Sequence, residues 1–172
     1  VVNSLRMRPD RVLVGEIRKR AEAEVLFEAM HTGHSVYGTL HANNVRETVN
    51  RLTEPPIDLP KQILSALSLV VVQHINRKNG KRRTLQIGEI MHDGNAKPIM
   101  QLNIAKDKLE KISDPITIYE TLKLYTGLSK EDIKMDINEK IDILKWMVKN
   151  NIIDIHKIGL IMSKYYQKKS FK

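Results

Sequence analysis

The chain has 172 residues, of which 41% are hydrophobic, and its formal net charge is +9. This composition is typical of a globular protein; the absence of cysteine excludes disulfides, thiolate catalysis and cysteine-ligated zinc, and no apolar run is long enough to span a bilayer. The first 60 residues carry 8 Lys and Arg against 8 Asp and Glu, so the basic excess lies further along the chain. The neutral balance of the first 60 residues argues against a simple nucleic-acid binding surface in that region.

The first 60 residues alternate between strand-like and helix-like segments. Short apolar runs predict buried strands, and runs of strong helix formers with one apolar face predict helices. The segments are a strand at 11–17, a helix at 21–30, a strand at 35–40 and a helix at 45–53. Gly33 is placed to end the first helix, and Asn43 or Asn44 can cap the second. Three prolines then enforce a turn: Pro55, Pro56 and Pro60.

The middle region, residues 61–113, favours antiparallel strands. Its predicted elements are a short helix at 61–68 and strands at 69–77, 82–91 and 97–104. Asn79 and Gly80 predict a hairpin turn at 78–81, because both residues tolerate positive φ.

Residues 114–172 have helical periodicity. Two apolar stripes at helical spacing are predicted to face a core, not a cofactor. The first stripe consists of Ile137, Ile141, Leu144 and Val148, and the second of Ile155, Ile158, Met162, Tyr165 and Tyr166. The region is therefore predicted to be a helical subdomain.

Glu16 lies at the end of the first predicted strand. Ligands of α/β sheets bind outside the carboxyl ends of parallel strands, where a carboxylate can orient water or help to hold magnesium for phosphoryl transfer. The alternative is a surface glutamate that pairs with Arg18 or Lys19.

His34 and His41 flank the next predicted strand. A neutral imidazole near phosphate oxygens can donate a hydrogen bond to the γ-phosphate. Two alternatives remain open at this point: structural histidines with satisfied hydrogen bonds, and a metal site that also uses His31, although the histidines lack a recognised ligand spacing.

Two longer motifs carry a resemblance to a known family. "LRMRPDRVLVGEIR" resembles the aspartate box and Walker B segment of the hexameric secretion ATPases, which drive type II secretion, type IV pili, archaella and type IV secretion. "TGHSVYGTLHAN" resembles the histidine box of the same family, in the same order and at about the same spacing. The segment from "LYTGLSKEDI" to "LIMSKYY" is similar to the helical carboxy-terminal end of the archaeal branch.

The resemblance implies roles for individual residues. Glu16 matches the Walker B glutamate, which polarises the attacking water or a magnesium-bound water, and His41 matches the histidine expected near the γ-phosphate. The residues implied to support nucleotide binding or contacts between subunits are Arg6, Arg8, Asp10, Arg18, His34 and Thr39.

The resemblance also implies an architecture: an α/β fold with a partial RecA-like P-loop NTPase core, an antiparallel β extension and an α-helical C-terminal subdomain. The parts are residues 1–60 for the second half of the ATPase core, 61–113 for the remaining core helix and antiparallel strands, and 114–172 for the helical subdomain. ATP and Mg²⁺ are the implied cofactors of the intact parent. Its implied assembly is a homohexameric ring on a membrane platform protein, at the cytoplasmic face of the cell membrane, with no nucleic acid.

The sequence departs from the family pattern at two places. Gly15 stands where many P-loop proteins have the Walker B aspartate, and no GxxxxGK followed by Ser or Thr occurs, although that loop cradles the phosphates. The chain opens at Val1 and enters the motifs at once, so we expect it to be the carboxy-terminal portion of a longer motor. By itself it is expected to bind ATP weakly or not at all and not to hydrolyse it.

Two other functions compete with the motor. A non-enzymatic module with vestigial ATPase motifs would use the helical tail and the basic hairpin to bind a partner or an anionic membrane surface. A nucleic-acid binder is supported only by charge, because the chain has two phenylalanines and one tryptophan for stacking.

Overall fold

A computed structural model describes residues 9–170, so Arg6 and Arg8 lie outside the described residues. The chain is mixed α/β, as predicted, with an antiparallel sheet and C-terminal helices. It divides after Glu120 into two compact units. The predicted division into residues 1–60, 61–113 and 114–172 stays a prediction. Of the helices within 9–170, none is both long and apolar enough to cross a bilayer.

The N-terminal unit begins with two parallel strands joined by a helix. These elements are β1 (Arg11–Val14), α1 (Arg20–His31) and β2 (Ser35–Gly38). Arg11 lies opposite Ser35, and Val14 lies opposite Gly38. Strand β1 ends three residues before the predicted boundary, because the chain bends at Gly15.

Local hydrogen bonds start both helices of this unit. The Glu22 carboxylate accepts hydrogen bonds from the backbone amides of Arg18 (2.8 Å) and Lys19 (3.2 Å) at the start of α1. The Asn44 side chain accepts from the Glu47 amide at 2.8 Å, so Asn44 is the cap of helix α2 (Val45–Thr53), whose predicted bounds are confirmed. The apolar faces of α1 and α2 pack into one core.

The rest of the N-terminal unit is built on an antiparallel sheet with its strands in chain order. A 3₁₀-helix (Lys61–Ala66), where a short helix was predicted at 61–68, precedes β3 (Leu69–Ile75), β4 (Arg82–Ile90), β5 (Ala96–Asn103) and β6 (Lys108–Lys111). The predicted hairpin is present, with the Asn76 amide donating to the Lys81 carbonyl at 2.9 Å and Gly80 at φ +69°. Strand β6 was not predicted, because its sequence "KLEK" lacks β-branched residues. It is a strand through its pairing with β5.

The described C-terminal helices are α3 (Thr117–Thr126), within which the division between the units falls, α4 (Lys130–Lys149) and α5 (Ile155–Ser170). Ser129 caps α4 by accepting a hydrogen bond from the Asp132 amide at 3.1 Å. Helices α4 and α5 meet through the Tyr165 hydroxyl, which donates to Glu139 at 2.9 Å, and through an ion pair of Lys169 with Asp136.

The prediction that the apolar stripes face a core is wrong for the first stripe and for the ends of the second. The first-stripe residues are exposed by 38% to 79%, and Ile155 and Tyr166 are also exposed. The buried residues of α4 are instead Ile133 and Met147. Apolar residues at helical spacing define the face that a helix can bury, but they do not determine which face another element covers.

Candidate functional site

The carboxyl ends of β1 and β2 lie at the same edge, because the two strands are parallel. Glu16 and Arg18 follow β1, while Thr39 and His41 follow β2. The backbones stay side by side past the strands, since the Ile17 amide donates to the Thr39 carbonyl at 2.9 Å. We call these four residues, Glu16, Arg18, Thr39 and His41, the carboxyl-end cluster.

Glu16 is the centre of this cluster. One carboxylate oxygen lies 3.2 Å from His41 Nε2, and the other accepts a hydrogen bond from the Arg18 guanidinium at 2.5 Å. The Thr39 hydroxyl donates to the Gly15 carbonyl, which ties the residue before Glu16 to the end of β2. The structure therefore brings together the two residues predicted to be catalytic.

The hydrogen bond from Arg18 is the largest influence on the pKa of Glu16 and lowers it. Burial opposes this shift, and the charges of Arg18 and His41 add to the lowering. Glu16 is therefore an ionised acceptor at neutral pH. The Glu16 side chain is 26% exposed and that of His41 is 86% exposed, so both can be reached from solvent. An anionic carboxylate beside a hydrogen-bond donor can orient a water molecule for attack.

The cluster borders a depression of about 580 Å³. Three polar residues of α2 line the same depression: Glu47, Asn50 and Arg51. Arg51 pairs with Glu47 at 3.2 Å and adds a second cation to the cavity wall. Sequence reasoning missed these residues, although Asn50 and Arg51 follow Glu47 by three and four residues, a spacing that places both beside it on one face of α2.

Two other predicted site residues lie at the opposite end of the strand pair. Asp10 precedes β1, and His34 precedes β2. The His34 ring contacts the Thr32 hydroxyl at 3.1 Å and the Ala29 carbonyl at 3.3 Å, in the turn after α1. A four-residue strand spans roughly 10–13 Å. Asp10 and His34 therefore lie one strand length from the carboxyl ends, and the structure does not bring them to Glu16.

The described chain contains no cluster of metal-ligating side chains. Among residues 9–170, no three His, Asp or Glu side chains gather in a way that could hold a metal ion. His31, which the metal alternative required, has its Nδ1 atom 2.8 Å from the Phe27 carbonyl.

Comparison of the sequence with known proteins identifies a family that contains this chain. Residues 1–152 match the family model "Type II/IV secretion system protein". An uncharacterized protein of Methanocaldococcus jannaschii is 32% identical over 96% of the chain and 32% of its own length. The type IV pilus assembly ATPase PilB of Acinetobacter baylyi is 32% identical over 74% of the chain and 24% of its own length. PilB of Pseudomonas aeruginosa is 28% identical over 91% of the chain and 29% of its own length.

The chain thus spans less than a third of the length of each of these three relatives. The match is nevertheless to most of this chain, and it includes the strand pair and the carboxyl-end cluster. By the extent of that match, the chain belongs to the type II/IV secretion system protein family, the superfamily of secretion and pilus assembly ATPases.

Proposed function

We propose that the chain is the carboxy-terminal part of a motor ATPase that hydrolyses ATP to power protein secretion or the assembly of a pilus or archaellum. One observation carries the proposal: Glu16 and His41, from two motifs, are 3.2 Å apart at the carboxyl ends of parallel strands. Ligands of α/β sheets bind at such ends. The relatives named as pilus assembly ATPases support the same function.

In this proposal each residue of the carboxyl-end cluster has a distinct task. The Glu16 carboxylate orients the attacking water and accepts its proton, while His41 donates a hydrogen bond to a phosphate oxygen. Arg18 holds the Glu16 carboxylate in the ionised form, and Thr39 fixes the backbone at Gly15 through its hydroxyl group.

The residues present fit one side of a site for ATP and Mg²⁺. Glu16 would approach the metal through water. Phosphate oxygens would lie against Arg18 and Arg51, which pair with Glu16 and Glu47 in the structure. When bound, Mg²⁺-ATP supplies the phosphoryl group and the charge that neutralises the phosphate oxygens. The amide-lined loop that cradles phosphates has no counterpart in the 172 residues, so we propose that the chain alone does not bind ATP tightly.

A second cavity supports a partial RecA-like core. Within residues 9–170, β2 pairs only with β1, and β3 pairs only with β4. A cleft of about 500 Å³ lies between them, lined by apolar residues that include Val36, Leu40, Val70 and Val72. We propose that a further strand, which carries the phosphate-binding loop, completes one sheet by pairing with both free edges.

The remaining parts of the proposal concern assembly. A nucleotide site completed by neighbouring copies is built by head-to-tail contacts that close into a ring, and we propose a hexamer. The ring would act from the cytoplasmic side on a membrane platform protein and move as rigid bodies during the ATP cycle. We propose an archaeal type of motor, since the Methanocaldococcus jannaschii protein matches 96% of the chain and the equally identical PilB of Acinetobacter baylyi matches 74%.

The test is a glutamate substitution in the product of the complete open reading frame. Glu16→Gln is expected to lower steady-state ATP hydrolysis by about 10²–10⁴-fold, because a positioned base is lost, while binding of a fluorescent ATP analogue persists. Glu28→Gln, which changes an exposed carboxylate on α1, is the matched control and should keep full activity.

Two results would overturn the proposal. One is equal hydrolysis by the Glu16→Gln and unsubstituted proteins. The other is tight, magnesium-dependent ATP binding by the 172-residue chain, measured by calorimetry, because it would show that the described residues already contain the phosphate cradle.

A further inference from the structure

Two turns lie together at one end of the antiparallel sheet. The first joins β3 to β4 (residues 76–81), and the second joins β5 to β6 (residues 104–107). Arg83 forms two hydrogen bonds of 2.7 Å each to the Asp107 carboxylate, and Lys81 Nζ lies 3.6 Å from the same group. We call residues 74–83 and 103–108 together the basic turn pair, since this fork-like contact joins them into one surface.

The basic turn pair has a large excess of positive charge. It contains seven cationic side chains and one carboxylate, that of Asp107. The cations are Arg77, Lys78, Lys81, Arg82, Arg83, Lys106 and Lys108. Arg83 and Lys81 neutralise Asp107, and Lys106 pairs with Glu110 of β6 at 3.1 Å. The side chains of Arg77, Lys78 and Arg82 are exposed and make no ion pair within residues 9–170.

Aliphatic side chains stand among these cations. Ile104 is 75% exposed at the second turn, and Ile75 is 46% exposed at the end of β3. The basic turn pair contains no Phe, Tyr or Trp, the side chains on which nucleic-acid bases stack. A surface that carries both exposed aliphatic groups and unpaired cations instead matches the boundary of a bilayer, where phosphate groups lie beside acyl chains.

We propose that the basic turn pair binds the surface of an anionic lipid bilayer. The three unpaired cations and the neighbouring lysines contact lipid phosphates, and Ile104 enters the boundary between headgroups and acyl chains. No residue of the turn pair lines the depression beside Glu16, so the proposed lipid surface is separate from the candidate nucleotide site.

The experiment is co-sedimentation of the 172-residue chain with lipid vesicles. Vesicles with about 30 mol% phosphatidylglycerol are expected to bind the chain at low salt and to release it at about 0.5 M NaCl, while pure phosphatidylcholine vesicles do not bind it. The triple variant Arg77→Gln, Lys78→Gln, Arg82→Gln is expected to bind about 100-fold more weakly.

Two further variants separate location from net charge. Lys157→Gln, Lys164→Gln, Lys168→Gln removes the same charge from helix α5 and should leave most of the binding intact. Ile104→Ser, which keeps every charge, should weaken binding several-fold. Circular dichroism verifies that each variant is folded.

Three results would overturn the proposal. Equal losses in the two triple variants would assign binding to net charge, and unchanged binding of the turn-pair variant would assign it to another surface. Duplex DNA that displaces the chain from vesicles, and whose own binding is lost in the turn-pair variant, would assign the surface to nucleic acid.

Discussion

The tripeptide Gly-Glu-Ile occurs twice in the chain, at residues 15–17 and 88–90, and the two copies have opposite environments. Glu16 lies after a strand that has ended, is partly exposed, and meets Arg18 and His41. Glu89 lies inside β4 and is fully buried. The same tripeptide can therefore place its glutamate at an exposed strand end or inside a buried sheet, depending on what packs against it.

The support role of Glu89 rests on the groups around its carboxylate. The Ile116 amide donates to both oxygens, at 2.8 and 3.0 Å, and the Thr117 hydroxyl donates at 2.8 Å. The Ile118 amide donates at 3.3 Å, and Lys97 Nζ lies 3.6 Å away. Glu89 thus accepts the free amides at residues 116–118, the start of α3 within the N-terminal unit, where negative charge is also favoured by the helix dipole.

The largest expected effect that separates the two glutamates is on stability. Glu89→Ala should lower the free energy of unfolding by about 3 kcal/mol, because buried donors lose their acceptor and Lys97 loses its counter-charge. Chemical denaturation followed by circular dichroism measures this loss, and faster hydrogen exchange at the Ile116 and Ile118 amides localises it. Glu16→Ala is the control, and similar denaturation midpoints for the two variants would show that the two glutamates do not differ in structural role.

The glycines of the two tripeptides, Gly15 and Gly88, are also expected to differ in their effect on stability, but by less than the two glutamates. A Cβ atom at Gly88 would lie 2.5 Å from Val45 Cγ1 and 3.0 Å from the Lys97 carbonyl oxygen, so α2 would have to move away from the sheet. Gly88→Ala should therefore lower the free energy of unfolding by about 1–3 kcal/mol, the usual range for overpacking. A thermal melt of this variant that coincides with that of the unsubstituted protein would contradict the close packing.

A pH titration isolates the contribution of the Glu89 charge. Burial raises the pKa of Glu89, but the hydrogen bonds from Thr117, Ile116 and Ile118 and the charge of Lys97 outweigh it, so the pKa lies below the ordinary 4.5. A carboxylate whose pKa is lower in the folded protein stabilises the folded state at pH values above its ordinary pKa. This stabilisation is lost as the pH falls through the pKa of the folded state.

The stability difference between the unsubstituted protein and Glu89→Gln should therefore be constant from pH 7 to about 5 and shrink below about 4.5. Urea denaturation across this range measures the difference. A gap that stays the same down to pH 3 would show that the charge of Glu89 does not contribute.

The smallest expected effect is at Gly15, the counterpart of Gly88. No atom lies within 4 Å of a Cβ built at Gly15. Gly15→Ala should shift the free energy of unfolding by less than about 0.5 kcal/mol, as expected for an exposed position without packing constraints. A loss as large as that of Gly88→Ala would show that the two glycines have the same structural role.

Local sequence accounts for the elements that depend on neighbouring residues. The cap at Asn44, the turn at Asn79-Gly80 and the bounds of α2 arise from interactions within a few residues, so local patterns predicted them. The motifs around Glu16 and His41 also indicated the family that the comparisons confirm, and the parallel pairing of β1 and β2 brings the two side chains together.

Tertiary packing, in contrast, determines which polar and apolar groups are buried, paired or exposed. Glu89 and Thr117, Gly88 and Val45, and Arg83 and Asp107 are far apart in the chain and meet only through packing and sheet register. The position of Asp10 and His34 away from Glu16 follows from strand direction, which their residue types do not encode. The exposure of the α4 stripe likewise depends on which helix lies beside it, because apolar spacing states what a face prefers and not what covers it.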